Sequence, residues 1–192
     1  MTLTFDDGLR SVVREALPVL TANRLPSHLF LTTGFVGATN EWPSQPAGAP
    51  VFEMMSWDEV ETCLSSGMTI ESHTVTHPDL RRLDRAAIEQ ECEEADEEIG
   101  RRLGVVPTLM AYPYGGISEA ALQVSRDRYE ASFSTTLEYL ALRPRDRLWR
   151  HRVPRLDTYY LRDPRLYRHL DRLPTRSYVA LRALLRRLRG ST

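Results

Sequence analysis

Residues 2–8 read TLTFDDG, a short β-prone run that ends in two carboxylates and a glycine. Apolar residues at helical spacing follow at once, and they are Val12, Val13, Ala16, Leu17 and Leu20. The same order recurs along the chain, with further apolar runs at residues 29–33, 68–72, 108–112 and 131–135. Alternation of strands and helices predicts an α/β fold with a mainly parallel sheet, either a barrel or an open sheet.

Capping residues mark where several helices begin. Ser56 and Glu59 form a capping box that predicts a helix to about residue 66, and Ser118 marks the start of another. A longer helix is predicted over residues 84–103, and its acidic segment at 89–98 is expected to face solvent. The apolar face of that helix carries Ile88, Cys92, Ala95 and Ile99. Its cysteine is therefore predicted to be a core residue.

Length and composition limit the class of protein. The 192 residues suit one domain, and 42% hydrophobic with 27% charged residues is ordinary for a globular chain. A formal net charge of −1 gives no support to nucleic-acid binding. No apolar run approaches the roughly 20 residues that cross a bilayer, and no leader is visible, so we expect a cytoplasmic protein. Two cysteines are too few for a disulfide framework.

Groups that bind metal ions or form tight turns come directly after three of the predicted strands. The first strand ends in Asp6 and Asp7, and the third is followed by His73 and His77. The fourth leads into YPYGG at residues 112–116. Since the carboxyl ends of parallel strands lie at one edge of the sheet, these groups are expected to converge there.

The types and spacing of these residues indicate a metal site. Two histidines four apart can lie on one side of a helical turn, and a nearby carboxylate completes a set that fits catalytic zinc. The same set also fits six-coordinate iron, cobalt or nickel. An ion with an open position lowers the pKa of its water to about 7, and a second carboxylate can then act as general base. We therefore expect Asp6 and Asp7 to divide the roles of ligand and base.

In this order the three stretches resemble the motifs of the NodB-type polysaccharide deacetylases, carbohydrate esterase family 4. TFDDG at residues 4–8 is similar to the first family motif, HTVTH at 73–77 to the second, and AYPYG at 111–115 to the third. The segments LPVL at 17–20 and FLTTG at 30–34 also resemble the family's connecting segments. The resemblance extends from residue 2 to about residue 156.

This resemblance implies a distorted (β/α) barrel, commonly of seven strands, in a single domain over residues 1–192. It implies that one divalent ion, zinc first and cobalt or nickel next, is bound by three ligands, Asp7, His73 and His77. Asp6 would be the general base that deprotonates a metal-bound water for attack on an acetyl carbonyl. The ion and the backbone N–H of Tyr114 would stabilise the resulting oxyanion.

Three features depart from the family pattern. The third motif often begins with an arginine that steadies the base, and that position is Ala111 here; Arg152 and Arg155 are the candidates to replace it. The late Leu-x-His motif that supplies the general acid is absent in that form, and the late histidines, His151 and His169, are expected at the surface. The first motif also begins almost at residue 1, which is consistent with truncation of an upstream segment.

The implied function is hydrolysis of N-acetyl groups on a glycan that contains N-acetylglucosamine. The same site also suits an O-acetyl esterase, a deformylase or a cyclic-amide hydrolase, and the departures leave a non-catalytic glycan-binding or scaffold module open. Trp42 and Tyr114 are aromatic faces on which a sugar could stack, whereas Trp57 and Tyr112 are more readily explained as packing residues.

The last predicted helix follows Pro174 and has one apolar face, formed by Leu181, Leu184, Leu185 and Leu188. It is rich in arginine, and no acidic residue follows Asp171. Two interpretations are open: the helix packs on the domain with solvated arginines, or it makes peripheral contact with an anionic membrane. The oligomeric state is left open.

Overall fold

The structure is a computed structural model that describes residues 2–140 and 148–188. Its six strands form one parallel sheet in sequential order. The strands are β1 (Leu3–Phe5), β2 (Ser27–Leu31), β3 (Thr69–Ser72), β4 (Leu109–Ala111), β5 (Ala131–Leu137) and β6 (Val153–Arg155). The helices are α1 (Leu17–Ala22), α2 (Trp57–Ser65), α3 (Arg85–Leu103), α4 (Glu119–Arg128), α5 (Pro164–Tyr167) and α6 (Leu173–Leu188).

The sheet curls into a half-barrel, and side chains from strands that are not neighbours meet inside it. The rings of Phe30 on β2 and Phe133 on β5 lie 5.3 Å apart although β3 and β4 separate their strands. The guanidinium carbon of Arg155, on β6, lies 5.9 Å from the centre of the Phe30 ring. This curled α/β architecture agrees with the predicted distorted (β/α) barrel, with six strands in the described residues where about seven were expected.

The convex face of the sheet is covered by helices, and the sequence periodicity identified their buried sides. Leu29 and Leu31 of β2 are fully buried in a cluster with residues of α1 and α2. The predicted apolar face of α3 is confirmed, because all four of its members are fully buried, namely Ile88, Cys92, Ala95 and Ile99. The capping residues Ser56, Asp84 and Ser118 each accept a hydrogen bond from the first turn of their helix.

Three strands differ from the sequence prediction by two residues or more, and one of them is β5, which continues to Leu137 rather than ending at residue 135. β2 covers residues 27–31 rather than 29–33, because Ser27 pairs with Leu3 and Thr33 begins a 3₁₀ turn. β6 was not predicted, since it has only three residues and follows a bulge in its pairing with β5 between Phe133 and Leu137.

The C-terminal helix α6 packs against β5 with one side only. Val179 is buried on that side, whereas Leu181, Leu184 and Leu188 are each more than half exposed. Within residues 2–140 and 148–188, no helix has both the length and the apolar character that a membrane crossing requires.

Candidate active site

A sharp turn after β1 separates the two adjacent carboxylates. Asp7 has φ of 75° and Gly8 has φ of 100°, so the chain turns away immediately after the strand. The amide of Gly8 donates to the carbonyl of Asp6 at 3.0 Å, and the amide of Thr32 donates to the carbonyl of Asp7 at 3.1 Å. Asp6 and Asp7 thereby reach the same edge of the sheet but contact different partners, which are Arg155 for Asp6 and the two histidines for Asp7.

His73 follows β3 directly and is held by a backbone hydrogen bond. Its ring is buried, and Nδ1 lies 2.7 Å from the carbonyl oxygen of Ala111 at the end of β4. A carbonyl oxygen only accepts, so Nδ1 carries a proton, and in the neutral form of the ring Nε2 presents a lone pair. Burial lowers the pKa of His73, but the carboxylates of Asp7 and Asp6 raise it above its ordinary value in the absence of a metal ion. Ala111 occupies the position where the third motif often has an arginine, and it contacts His73 through its main-chain carbonyl.

Residues 74–77 form an irregular turn, so the expectation of a helical turn between the two histidines is wrong. Thr74 and His77 have φ of 67° and 53°. The carboxylate of Glu91, on α3, accepts hydrogen bonds of 2.9, 2.8 and 2.6 Å from Val75 N, Thr76 N and Thr76 Oγ1. Glu91 belongs to the acidic segment that was expected to face solvent, so that prediction is wrong for this residue.

The ring of His77 is enclosed by aromatic side chains. Trp42 lies against it with ring centroids 4.2 Å apart and planes 32° apart, and Tyr114 meets it edge-on at 4.6 Å. Trp42 is only 4% exposed, so the expectation that it offers a free face to a sugar is wrong. Burial also lowers the pKa of His77 below its ordinary value, which keeps the ring neutral at pH 7.

Three ligand atoms converge at this edge of the sheet. Asp7 Oδ1 lies 3.4 Å from His73 Nε2 and 3.3 Å from His77 Nε2, and the three atoms all lie within 4.8 Å of one another. Burial alone would raise the pKa of Asp7, but the two imidazoles lower it well below its ordinary value, so the carboxylate is ionised. Lone pairs that face one another across this distance fit a cation between them, and the donor set suits zinc and similar divalent ions.

Asp6 is paired with Arg155 from the opposite edge of the sheet. Nη1 and Nη2 of Arg155 donate to the two carboxylate oxygens of Asp6 at 2.6 and 2.7 Å. Arg155 Nε donates to the carbonyl of Ser134 on β5 at 3.0 Å, which fixes the guanidinium plane. Burial raises the pKa of Asp6, but Arg155, with a smaller contribution from His73, brings it below its ordinary value, so the carboxyl is ionised at neutral pH. Of the two arginines considered from the sequence, Arg155 makes this contact, whereas Arg152 is exposed.

Tyr114 lies in a 3₁₀ turn after β4 with φ of 57°. The next residue, Gly115, has φ of 71°, and a Cβ there would lie 2.0 Å from Thr135 Oγ1. Glycine is therefore required at this position, because both the backbone conformation and the approach of β5 exclude a side chain. The turn brings the ring of Tyr114 against His77 and its main chain against Thr135.

A cleft of about 590 Å³ opens beside Asp6 and Asp7, between the ends of β1 and β6. Its lining includes Thr4, Thr135 and Arg155. Asp6 and Asp7 border this cleft, whereas His73, His77 and Tyr114 do not.

The two late histidines lie in different surroundings. His169 is exposed, as predicted. His151 is partly buried, and its Nδ1 lies 2.9 Å from Ser125 Oγ on α4, so the prediction of a surface role is wrong for this residue.

Comparison with known proteins places the chain among deacetylases. A family model described as "Polysaccharide deacetylase" matches residues 1–128. The chain is similar to a chitin deacetylase from Pestalotiopsis sp, with 32% identity over 120 residues that cover 62% of this chain and 36% of the relative. It is also similar to a chitooligosaccharide deacetylase from Rhizobium leguminosarum bv. trifolii, with 34% identity over 98 residues that cover 50% of this chain and 38% of that protein.

The fold resembles solved deacetylase structures. The Streptococcus pyogenes deacetylase PplD, in complex with acetate, superposes with a TM-score of 0.66 over 81% of this chain and 62% of that chain, at 21% identity. The chain spans less than two fifths of the length of the two curated relatives named above.

Proposed function

This chain belongs to the polysaccharide deacetylase family, and we propose that it is a metal-dependent hydrolase that removes N-acetyl groups from a glycan. The convergence of Asp7, His73 and His77 carries the proposal. The relatives named as chitin and chitooligosaccharide deacetylases support a substrate that contains N-acetylglucosamine. We also propose that residues 1–192 form a single deacetylase domain.

The proposed metal ligands are Asp7, His73 and His77, with zinc as the first choice of ion and cobalt or nickel as the next. When bound, a divalent ion supplies Lewis-acid chemistry, which makes water nucleophilic at neutral pH and polarises an amide carbonyl. The protein orients the two imidazoles by different contacts, a carbonyl for His73 and aromatic rings for His77. Both contacts leave the Nε2 atoms directed at Asp7.

Asp6 is the proposed general base. It accepts a proton from the attacking water, while the oxygen of that water forms a bond to the acyl carbon. The C–N bond then breaks as the leaving nitrogen takes up a proton, which balances the one that Asp6 accepted, and the products are acetate and a free amine on the sugar. Arg155 keeps the Asp6 carboxylate ionised and fixes its orientation through two parallel hydrogen bonds.

Tyr114 is the proposed site of oxyanion stabilisation, through its backbone N–H. Its left-handed conformation, enforced by the turn and by the close approach of Gly115 to Thr135, fixes the peptide plane before substrate arrives. A preorganised donor of this kind is typically worth about 10²–10³ in rate.

The Asp6–Arg155 pair argues against a non-catalytic module. That alternative depended in part on the alanine at position 111, where an arginine would steady the base. Arg155 makes the equivalent contact from β6, so the proposed base retains a guanidinium partner. Both the proposed ligands and the proposed base are therefore present with their supporting contacts.

The proposal is tested by metal content and turnover measured on the same variants. We expect about one divalent ion per chain in the wild type and in His169→Ala, which changes an exposed histidine, and none in Asp7→Ala. Arg155→Met should retain the ion but lose about 10²-fold or more in deacetylation rate, because Asp6 loses its partner. Acetate release from acetylated chitooligosaccharides is the assay, with O-acetyl, formyl and cyclic-amide substrates as the comparison panel.

Two results would refute the proposal. One is a full complement of metal in Asp7→Ala. The other is a wild type that binds metal but releases no acetate from any acetylated sugar, which would favour the non-catalytic alternative.

We further propose that α6 makes peripheral contact with an anionic membrane. Leu181, Leu184 and Leu188 are 53–74% exposed at positions that share one side of the helix. Arg176 is also exposed, and no acidic residue follows Asp171. Exposed leucines together with uncompensated positive charge are typical of helices that lie in the interface of anionic lipids.

Flotation with liposomes tests this contact. The protein should float with phosphatidylserine-containing vesicles and not with neutral ones, and Leu181→Ser/Leu184→Ser should abolish flotation without loss of turnover. Absence of flotation on anionic vesicles would overturn the proposal. A dimer that forms through the same leucines without lipid would assign the face to a second copy instead.

A further inference from the structure

We infer that Trp42 and Ser44 are positioning residues that hold two parts of the site together, the ring of His77 and the turn at Tyr114. The inference rests on the proposed function for the role of His77 as a metal ligand. Both residues belong to the loop between β2 and α2, at the start of a stretch rich in proline, glycine and alanine at residues 42–50.

Trp42 is buried although it lies in this loop. Its exposure is 4%, and its indole is tilted by 32° to the imidazole of His77 with centroids 4.2 Å apart. Phe35, which ends the turn after β2, packs edge-on against the indole with centroids 5.7 Å apart. The indole thus contacts both Phe35 and His77, so its own position is defined by packing.

A chain of hydrogen bonds connects the same loop to Tyr114. Trp42 Nε1 donates to the hydroxyl of Tyr114 at 2.9 Å, and that hydroxyl donates to the carbonyl of Ser44 at 3.0 Å. Ser44 Oγ lies 3.0 Å from the Tyr114 hydroxyl and donates to the carbonyl of His77 at 2.6 Å. The loop therefore contacts His77 at two points: Trp42 packs against its ring, and Ser44 donates a hydrogen bond to its main-chain carbonyl.

His77 requires this support more than His73 does. Its Nδ1 is buried and has no hydrogen-bond partner in the part of the chain that the structure describes. Its φ of 53° is a conformation that residues with a side chain rarely adopt. A ligating imidazole is usually oriented by a hydrogen bond at its other nitrogen. The ring of His77 is oriented instead by its contacts with the indole of Trp42 and the ring of Tyr114.

One loop therefore connects a proposed metal ligand to the proposed oxyanion donor. A change at Trp42 removes the surface on which the His77 ring rests and also one of the partners of the Tyr114 hydroxyl. We expect metal affinity and acyl transfer to decline together, with metal affinity as the primary readout because it needs no substrate.

Cobalt binding provides the test. Trp42→Ala, Trp42→Phe and Ser44→Ala are compared with the wild type by cobalt titration against a chelator and by the visible d–d spectrum of the bound ion. Trp57→Ala is the matched control, because its indole packs against the core cluster around α1 and α2 and beneath Arg102, away from His77. Thermal unfolding of the metal-free proteins records the structural cost of each substitution separately.

We expect Trp42→Ala to bind cobalt about 10–100-fold more weakly, the range seen when an outer partner of a ligand is removed, and to show an altered d–d spectrum. Trp42→Phe keeps an aromatic face and should recover most of the affinity. Ser44→Ala should weaken binding by a smaller factor. Trp57→Ala should match the wild type in affinity and spectrum even where its melting temperature falls.

Four outcomes would overturn the inference, the last of them together with the proposed function. Wild-type affinity and spectrum in Trp42→Ala would do so, and wild-type affinity in Ser44→Ala would do so if Trp42→Ala does not fold. An equal loss of affinity in Trp57→Ala would also overturn it, because the effect would then be global. A wild type that binds cobalt but turns over no acetylated sugar leaves the positioning role standing and refutes only the proposed function, whereas a wild type that takes up no cobalt overturns both.

Discussion

His73 and His77 direct Nε2 at the same oxygen of Asp7, but the protein holds the two rings by different means. His73 follows a regular strand and donates from Nδ1 to a carbonyl of the neighbouring strand. His77 comes at the end of an irregular turn, has a left-handed backbone, and is held by the faces and edges of aromatic side chains.

The difference shows which part of the site the sheet positions and which part the loops position. A hydrogen bond at Nδ1 sets both the direction of the His73 ring and its tautomer. Stacking sets the plane of the His77 ring but leaves the tautomer to be chosen by the ligand at Nε2. The second histidine is therefore the one whose geometry depends on side chains of connecting segments, chiefly Trp42 and Tyr114, rather than on the main chain of a neighbouring strand.

Removal of either imidazole ring is expected to have the largest effect on metal binding. Loss of a supporting residue typically weakens binding by about 10–100-fold, and His73→Ala and His77→Ala should each exceed that range because a ligand itself is lost. Competition with a chelator, followed by elemental analysis, provides the measurement. Retention of the ion by either variant would show that the pair does not act as two ligands of one site.

Glu91 offers a smaller change, since it holds the turn between the two rings. Glu91→Ala removes the acceptor for two backbone amides and a hydroxyl, so we expect a loss of about 1–3 kcal/mol in the free energy of unfolding and weaker metal binding. Glu94→Ala, on the exposed side of the same helix, is the control and should change stability by no more than about 0.5 kcal/mol. Urea unfolding in the presence of a chelator measures the free energy of unfolding of both variants. An equal loss in Glu91→Ala and Glu94→Ala would contradict the role given to Glu91.

The smallest expected effect concerns which nitrogen of each imidazole ring carries the proton, a difference that leaves function unchanged. In the metal-free protein, nitrogen-15 NMR should show a proton fixed on Nδ1 of His73 and slow to exchange, because Ala111 accepts from it. His77 should show no such protected Nδ1 proton, since that atom lacks a partner among the described residues. Protection of Nδ1 in both rings would remove the distinction.

The convergence of the site could be predicted because it follows from the parallel sheet. Asp6 and His73 directly follow β1 and β3, Asp7 comes one residue later, and the carboxyl ends of parallel strands lie together. The core faces of the helices were equally predictable, since periodicity alone identified the buried side of α3. These features depend on residues close to one another in sequence or on the general geometry of the fold.

The supporting contacts could not be predicted, because each joins segments distant in the chain. Glu91 lies in an acidic helix that composition alone would leave in solvent, yet its carboxylate holds the turn at residues 75–76. Trp42 lies in a loop whose composition indicates only a surface connection. Arg155 was one of two candidates, and only the pairing of the short strand β6 with β5 decides between them.

The two residues of the Asp6–Arg155 contact leave the ribosome at different times during synthesis. All three proposed metal ligands have been released once residue 77 has, whereas Arg155 comes 149 positions after Asp6. A nascent chain thus contains all three proposed ligands before the partner of its proposed base is released. That partner reaches Asp6 only when β6 has paired with β5, so the proposed base gains its guanidinium contact late in the assembly of the sheet.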